Sequence, residues 1–311
     1  MRDPQCVSDV LMIRPVRFIG NPQTASSNAF QSDAVLSDEE AQRRAVAEFD
    51  SLVAALTAAG VRVHVVEDTP EPHTPDSLFP NNWMSMHADG TVVLYPMLAP
   101  NRRVERREDI LHDLTTRHGF RITRVVDFTH YERENKFLEG TGSLVLDREH
   151  RIAYACISPR TDLDVLGDFA QQLDYDVVSF EANDANGVPI YHTNVVMCVG
   201  SRFAAICSTS IRESERMGVL ETLRQTGHAI VDLTYEQMNE FAGNMLELRG
   251  ADGAPIVAMS SRALASLTGE QRAVIEASAG RIVTAPIPTI ETLGGGSVRC
   301  MLAEVGLPRR G

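Results

Sequence analysis

The sequence predicts an α/β protein built as a closed five-fold pseudosymmetric propeller of hairpin–helix–strand units. Three observations predict it. A short polar lead-in to an apolar hairpin recurs about every fifty to sixty residues, a period that marks repeated supersecondary units. The lead-ins are Phe79-Pro80-Asn81-Asn82, Phe137-Leu138-Glu139-Gly140, Tyr191-His192-Thr193-Asn194, Phe241-Ala242-Gly243-Asn244, and Gly294-Gly295-Gly296-Ser297 running up to Cys300. Each of the first four is followed by two strand-like runs around a turn, then a helical stretch and a short apolar strand. The fifth unit is split between the two ends of the chain, so pairing the first strand with the last would close a ring.

The elements follow in order. Val10 to Phe18 reads as the first strand, followed by a helix at 38–59 and a strand at 61–66. Ser37-Asp38-Glu39-Glu40 supplies capping-box spacing at the start of that helix. Trp83 to Met86 and Thr91 to Pro96 flank the turn Ala88-Asp89-Gly90, ahead of helical character at 101–118 and a strand from Arg121 to Phe128. The next unit pairs Ser143 to Asp147 with Arg151 to Ile157, then has a helix at 162–173 and the strand Asp176 to Phe180. The third pairs Asn194 to Val199 with Arg202 to Cys207, before a helix at 211–226 and the strand His228 to Leu233. The fourth pairs Met245 to Leu248 with Pro255 to Met259, before a helix at 262–278 and the strand Arg281 to Ala285. Thr268-Gly269-Glu270-Gln271 is a second capping-box signal. Cys300 to Val305 is the strand left to meet Val10 to Phe18. With no linker rich in Pro, Gly or Ser, residues 1–311 are expected to form one domain.

Composition narrows the function. A formal charge of −13 disfavours nucleic acid and anionic membranes as partners. The five cysteines are dispersed, with no CxxC pair and no zinc spacing, so neither metal nor cofactor is expected. The polar start before Val10-Leu11-Met12-Ile13 is too short for a signal or spanning segment, which points to a reduced, cytoplasmic setting. The composition suits a homo-oligomer as well as a monomer. A small molecule is the partner these properties favour.

The repeat position gathers the chemistry. Equivalent positions in a ring converge, which turns Asn82, Glu139, His192, Asn194, Asn244 and Cys300 into one candidate site. Cys156, Cys198 and Cys207 lie in apolar strand runs and read as core. Cys300 follows a glycine-rich loop that lets backbone approach a ligand, and a thiol there needs a base to become a nucleophile. His192 is that base by position. Glu139, an expensive carboxylate to bury without a partner, is its orienting group. Gly140, Gly142 and Gly294 to Gly296 read as shape-setting residues. The polar stretch Asn21 to Ser37 lacks any period and reads as a cover for the site.

These segments resemble the pentein, or guanidino-group-modifying, superfamily of five-fold α/β propellers, which includes arginine deiminases, dimethylarginine hydrolases and amidinotransferases. The resemblance spans nearly the whole chain. Phe-Pro-Asn-Asn-Trp, Tyr-His-Thr-Asn and Gly-Gly-Gly-Ser-Val-Arg-Cys-Met are most similar to the citrulline-utilisation hydrolases. The resemblance implies Cys300 as nucleophile, His192 as general acid/base and Glu139 as its partner. It also implies that Arg160 holds a substrate α-carboxylate, with Arg103 as a second candidate. Arginine deiminases carry Asp where this chain has Asn82 and Asn194, and those carboxylates grip a cationic guanidinium. Amides at both positions suit a neutral ureido group, whose oxygen accepts a hydrogen bond.

The expected reaction is cysteine-dependent hydrolysis of citrulline, or a close analogue, to ornithine, ammonia and carbon dioxide through an S-carbamoyl intermediate. Alternatives are an arginine deiminase or dimethylarginine hydrolase, an amidinotransferase, and a catalytically silent amino-acid-binding protein.

Overall fold

A computed structural model describes residues 3–25, 28–31 and 36–310. Five three-stranded sheets repeat one connection: an antiparallel hairpin whose second strand pairs in parallel with a third. One sheet joins the two ends of the chain. In it β1 (Asp9–Arg14) pairs in parallel with β2 (Arg62–Glu67) across the helix α1 (Asp38–Ala58). Its other neighbour is the last strand, with Val10 opposite Glu304 and Leu11 opposite Ala303.

The second sheet holds β3 (Met84–Met86), β4 (Thr91–Leu94) and β5 (Arg124–Asp127), with α2 (Pro100–Arg103) and α3 (Glu108–Thr116) in the crossover. The third begins with a single turn, α4 (Gly140–Ser143), then β6 (Leu144–Asp147), β7 (Ile152–Cys156), α5 (Leu163–Leu173) and β8 (Asp176–Phe180). The fourth follows the same plan: α6 (Thr193–Val196), β9 (Met197–Val199), β10 (Phe203–Ile206), α7 (Glu213–Gln225) and β11 (Ala229–Asp232). After α8 (Tyr235–Asn239) come β12 (Leu246–Arg249), β13 (Pro255–Ser260), α9 (Ser261–Ser266), α10 (Gly269–Ala279) and β14 (Arg281–Ala285). The chain ends with α11 (Pro288–Gly294) and β15 (Ala303–Glu304). The first strands of neighbouring sheets lie together, β6 beside β9, β9 beside β12 and β15 beside β3. Five such sheets are consistent with a five-fold pseudo-repeat.

Burial follows position within each sheet. The hairpin strands are wholly or largely buried, as in β7 and β10, whereas the third strands are mostly exposed, as in β5 and β8. Apolar helix faces cover them: Phe49, Leu52 and Leu56 of α1, and Val165, Leu166, Phe169 and Leu173 of α5.

Several boundaries differ from the sequence expectation for local reasons. The single helix foreseen at 262–278 is two, because Ser260 caps α9 and a complete capping box at Thr268 and Gln271 starts α10. Ser37 caps α1 by accepting from the Glu40 amide. The stretch 101–118 also divides into α2 and α3. At the fifth lead-in, Cys300 lies in a 3₁₀ turn (Val298–Met301), not in the strand expected there. The same holds for Asn194, which sits in α6 ahead of its strand.

Leu11 is fully buried on β1 beside Met84, Met86 and Val305, where the two ends of the chain meet. Leu11→Ala is expected to cost about 2–5 kcal/mol in urea unfolding. Val65→Ala, on the exposed side of β2, should cost under about 0.5 kcal/mol in the same measurement.

Candidate active site

The polar residues nominated by the repeat stand in, or next to, single helical turns just ahead of the hairpins. Asn82 closes a 3₁₀ turn (Pro80–Asn82), Glu139 precedes α4, His192 precedes α6, and Cys300 is in the turn before β15. Side chains stitch one turn to the next. Thr141 Oγ1 donates to the Asn81 carbonyl at 3.3 Å, Thr193 Oγ1 to the Ser143 carbonyl, and Asn244 Nδ2 to the Asn194 carbonyl at 2.9 Å. The turns approach so closely that a Cβ on Gly140, itself at φ +46°, would lie 2.3 Å from the Asn81 carbonyl oxygen.

Glu139 and His192 meet. The imidazole Nε2 lies 2.8 Å from Glu139 Oε2, and both residues are buried. The Arg160 guanidinium reaches the same oxygen at 3.3 Å, and the Leu98 amide donates to the other at 3.0 Å. Burial alone would push the Glu139 carboxyl up, but Arg160 and His192 outweigh it and hold the acid well below the usual carboxylate range. Burial also pulls His192 down to about 4, against the opposing pull of Glu139. At neutral pH the pair is therefore a carboxylate and a neutral imidazole. Nε2–H points at Glu139, which leaves Nδ1 as the basic nitrogen.

Cys300 shares a cavity of about 20 Å³ with His192, Asn82 and Arg160. Its sulfur lies 3.4 Å from Asn194 Nδ2 and 3.3 Å from Asn244 Nδ2. Asn194 reaches the sulfur from the other side and lines a separate small cavity with Met197, Met245 and Arg299. All five cysteines are free and buried, and Cys300 alone among them lines the cavity that holds His192.

One expectation is corrected. Arg103 turns away from the cavity: its Nε and Nη2 donate to the Met97 and Leu98 carbonyls, and its guanidinium lies over Phe137. Successive residues of a helix point about 100° apart, so the inward position on α2 falls to Arg102. That side chain is buried in the cavity wall, with Nε and Nη2 each 2.9 Å from the two oxygens of Glu105 and Nη1 2.7 Å from Asn82 Oδ1. Burial raises the Glu105 carboxyl to about 7 despite this pairing.

Sequence reasoning also missed Asp76. It is buried in the cavity wall, with Oδ2 accepting from Asn21 Nδ2 at 2.7 Å and from Thr24 Oγ1 at 3.3 Å, while Oδ1 has no hydrogen-bond partner among the described residues. Neither Asp76 nor Arg102 stands at the repeat position, and the adjacent Arg102 and Arg103 offer no periodic signal to separate them. The stretch from Asn21 contributes the roof in its described part: Thr24 and Asn28 line the cavity, and Asn28 Nδ2 donates to the Gly294 and Gly295 carbonyls. Residues 26–27 and 32–35 of that stretch lie outside the described residues. The cavity has room for about one water. Among the described residues no group of three or more His, Cys, Asp or Glu is placed to hold a metal ion, and no helix is long and apolar enough to cross a membrane.

A thiol and an imidazole line one cavity, with a buried carboxylate behind the imidazole and two arginines in the wall. The sequence matches the family described as N,N dimethylarginine dimethylhydrolase, eukaryotic, over residues 14–307, and the chain belongs to that family. It therefore falls within the pentein guanidino-modifying superfamily, whose fold the solved structures share. It superposes on ArgZ, an arginine dihydrolase of cyanobacteria, with a TM-score of 0.71 at 20% identity, over 97% of this chain and 41% of that one. The N-terminal domain of ArgZ, in a cysteine variant bound to substrate, is covered over 97% of its length at 19% identity and a TM-score of 0.71. The chain thus spans about two-fifths of full-length ArgZ and nearly all of that domain. DDAH from Pseudomonas aeruginosa, complexed with citrulline, gives a TM-score of 0.64 at 14% identity, over 96% of this chain and 99% of that one. No curated protein matches the sequence.

Two predictions follow from this geometry. A Cβ on Gly142 would lie 2.5 Å from Asn82 Nδ2 and 2.8 Å from His192 Nδ1, so Gly142→Ala should lower kcat/KM at least about tenfold with little change in far-UV circular dichroism. His192 is held below its ordinary 6.5, so it stabilises the fold fully above pH 6.5 and that stability drains away as the pH falls toward 4. Across that window the unfolding free energy of His192→Gln should fall less steeply than that of the parent, by about 1.4 kcal/mol per pH unit at most.

Proposed function

We propose that the chain hydrolyses the ureido group of citrulline, or a close analogue, in a single closed ring of five units. The observation that carries this reading is the polar surroundings of Cys300, whose sulfur is contacted by the amides of Asn194 and Asn244 and, among the described residues, by no carboxylate. A cationic guanidinium calls for carboxylates at that place. A neutral planar carbon bearing an oxygen is served by amide donors.

The head of an amino acid finds partners in the same cavity. Arg160, whose guanidinium lies 4.8 Å from the Tyr191 ring centroid, is the anchor for the α-carboxylate. Asp76, whose Oδ1 has no hydrogen-bond partner among the described residues, suits the α-ammonium. Asn82 faces the cavity beside His192 and reads the ureido group.

His192 Nδ1 takes the thiol proton of Cys300, and the thiolate attacks the ureido carbon. The amide donors of Asn194 and Asn244 hold the sulfur, and the oxygen of the tetrahedral intermediate falls to the Asn82 NH₂, which faces the cavity. His192 returns the proton to the departing δ-nitrogen, and the C–N bond breaks to give ornithine and an S-carbamoyl enzyme. Glu139 orients the imidazole and offsets its transient charge. His192 then deprotonates a water molecule, which attacks the carbamoyl carbon. The C–S bond breaks, the thiol is restored, and carbamate decomposes to ammonia and carbon dioxide.

Assays of citrulline, arginine, methylarginine and agmatine side by side test the reading. Ornithine and ammonia from citrulline are expected, without dependence on an added amine. Arginine turnover with inert citrulline would overturn it. Cys300→Ala should abolish turnover, and alkylation that stops activity should map to Cys300. Asn194→Asp is expected to lower kcat/KM for citrulline at least about tenfold, and unchanged citrulline kinetics would remove Asn194 from the mechanism.

A further inference from the structure

A side-chain amide presents either a donor or an acceptor to its surroundings, depending on which way it is turned. Around Cys300 each amide is turned by a partner that works in one direction only. Asn194 Nδ2 lies 3.3 Å from the Thr141 carbonyl, and Asn244 Nδ2 lies 2.9 Å from the Asn194 carbonyl; carbonyls can only accept. Asn82 has the opposite kind of partner. Arg102 can only donate, and its Nη1 lies 2.7 Å from Asn82 Oδ1. The Asn82 NH₂ is thereby turned toward Gly142 and His192, with one hydrogen on Asn81 Oδ1 at 3.1 Å. Arg102 is not at liberty to turn, because Glu105 occupies its Nε and Nη2 and leaves Nη1 for Asn82.

We infer that Arg102, held by Glu105, is a positioning residue that fixes the polarity of Asn82 and so selects a neutral, oxygen-bearing ureido group over a cationic guanidinium. This rests on the ureido reading given above. A guanidinium has only donors to offer, so against the fixed NH₂ it meets donor with donor. Turning Asn82 over would cure that clash only by setting its NH₂ against the Arg102 guanidinium. The buried pair thus works through Asn82, at one remove from the substrate side chain.

The test compares kcat/KM for citrulline and for arginine, which carry the same α-carboxylate and α-amine. A residue that merely anchors the amino-acid head affects both substrates alike, so the ratio isolates the polarity effect. The double variant Arg102→Met/Glu105→Leu removes both charges together and leaves neither buried alone. Its ratio is expected to move toward arginine by at least about tenfold, and Asn82→Asp should move it in the same direction. If the double variant does not fold, Glu105→Gln, which loosens the guanidinium but keeps it in place, should move the ratio by about threefold or more. Citrulline turnover with ratios within about twofold of the parent in the folded variants overturns the inference and leaves the ureido reading intact. A parent protein that consumes arginine and ignores citrulline overturns both.

Discussion

The site depends on the hydrogen bonds that tie the lead-in of one unit to the helical turn of the unit before it. Thr141 to Asn81, Thr193 to Ser143 and Asn244 to Asn194 each join a side chain to a backbone carbonyl in the preceding unit. A helix of one turn leaves its terminal carbonyls without internal partners, and buried carbonyls must find them elsewhere. Satisfying that requirement brings the turns into contact. The residues at their ends are then brought close: Asn82, His192 and Cys300 line one cavity, Glu139 holds His192 from behind, and Asn194 meets the sulfur from the other side.

Burial in that volume raises the stakes of every charge. Glu139 is ionised because Arg160, His192 and the Leu98 amide occupy its two oxygens. Arg102 is tolerated because Glu105 and Asp76 flank it. Taking such groups out of water costs free energy that pairing only partly returns, so these clusters are poor candidates for stabilising devices. Their value lies in fixed direction. One imidazole nitrogen is bound to a carboxylate, the other has no hydrogen bond among the described residues, and one face of each amide is committed before a substrate arrives. Preorganisation of this kind removes reorganisation from the reaction step. Thr24 and Asn28 add to the wall of the same cavity.

The sequence by itself determined the repeat, because its signals are local: an apolar hairpin, a capped helix and a short strand recur with a regular period. That was enough to nominate Glu139, His192, Asn194 and Cys300 from their shared position, and to pair β1 with the end of the chain. The ends of the elements were less legible. The lead-ins read as strand because Val195-Val196 and Cys300-Met301 are apolar and run directly into the strand residues, so the single turns before β9 and β15 did not show.

Only the tertiary structure decided which groups outside the repeat join the site. Arg102 and Arg103 are indistinguishable in sequence, and the direction of one short helix sends the first to Asn82 and the second to the carbonyls of Met97 and Leu98. Asp76 enters through a loop with no pattern of its own, held by Asn21 and Thr24 from a segment more than fifty residues away in the chain. Contacts between distant segments depend on how elements pack, and packing leaves no periodic trace along the chain. The polarity of the Asn82 amide belongs to the same class, since a residue's identity says that it can donate or accept and its neighbours determine which.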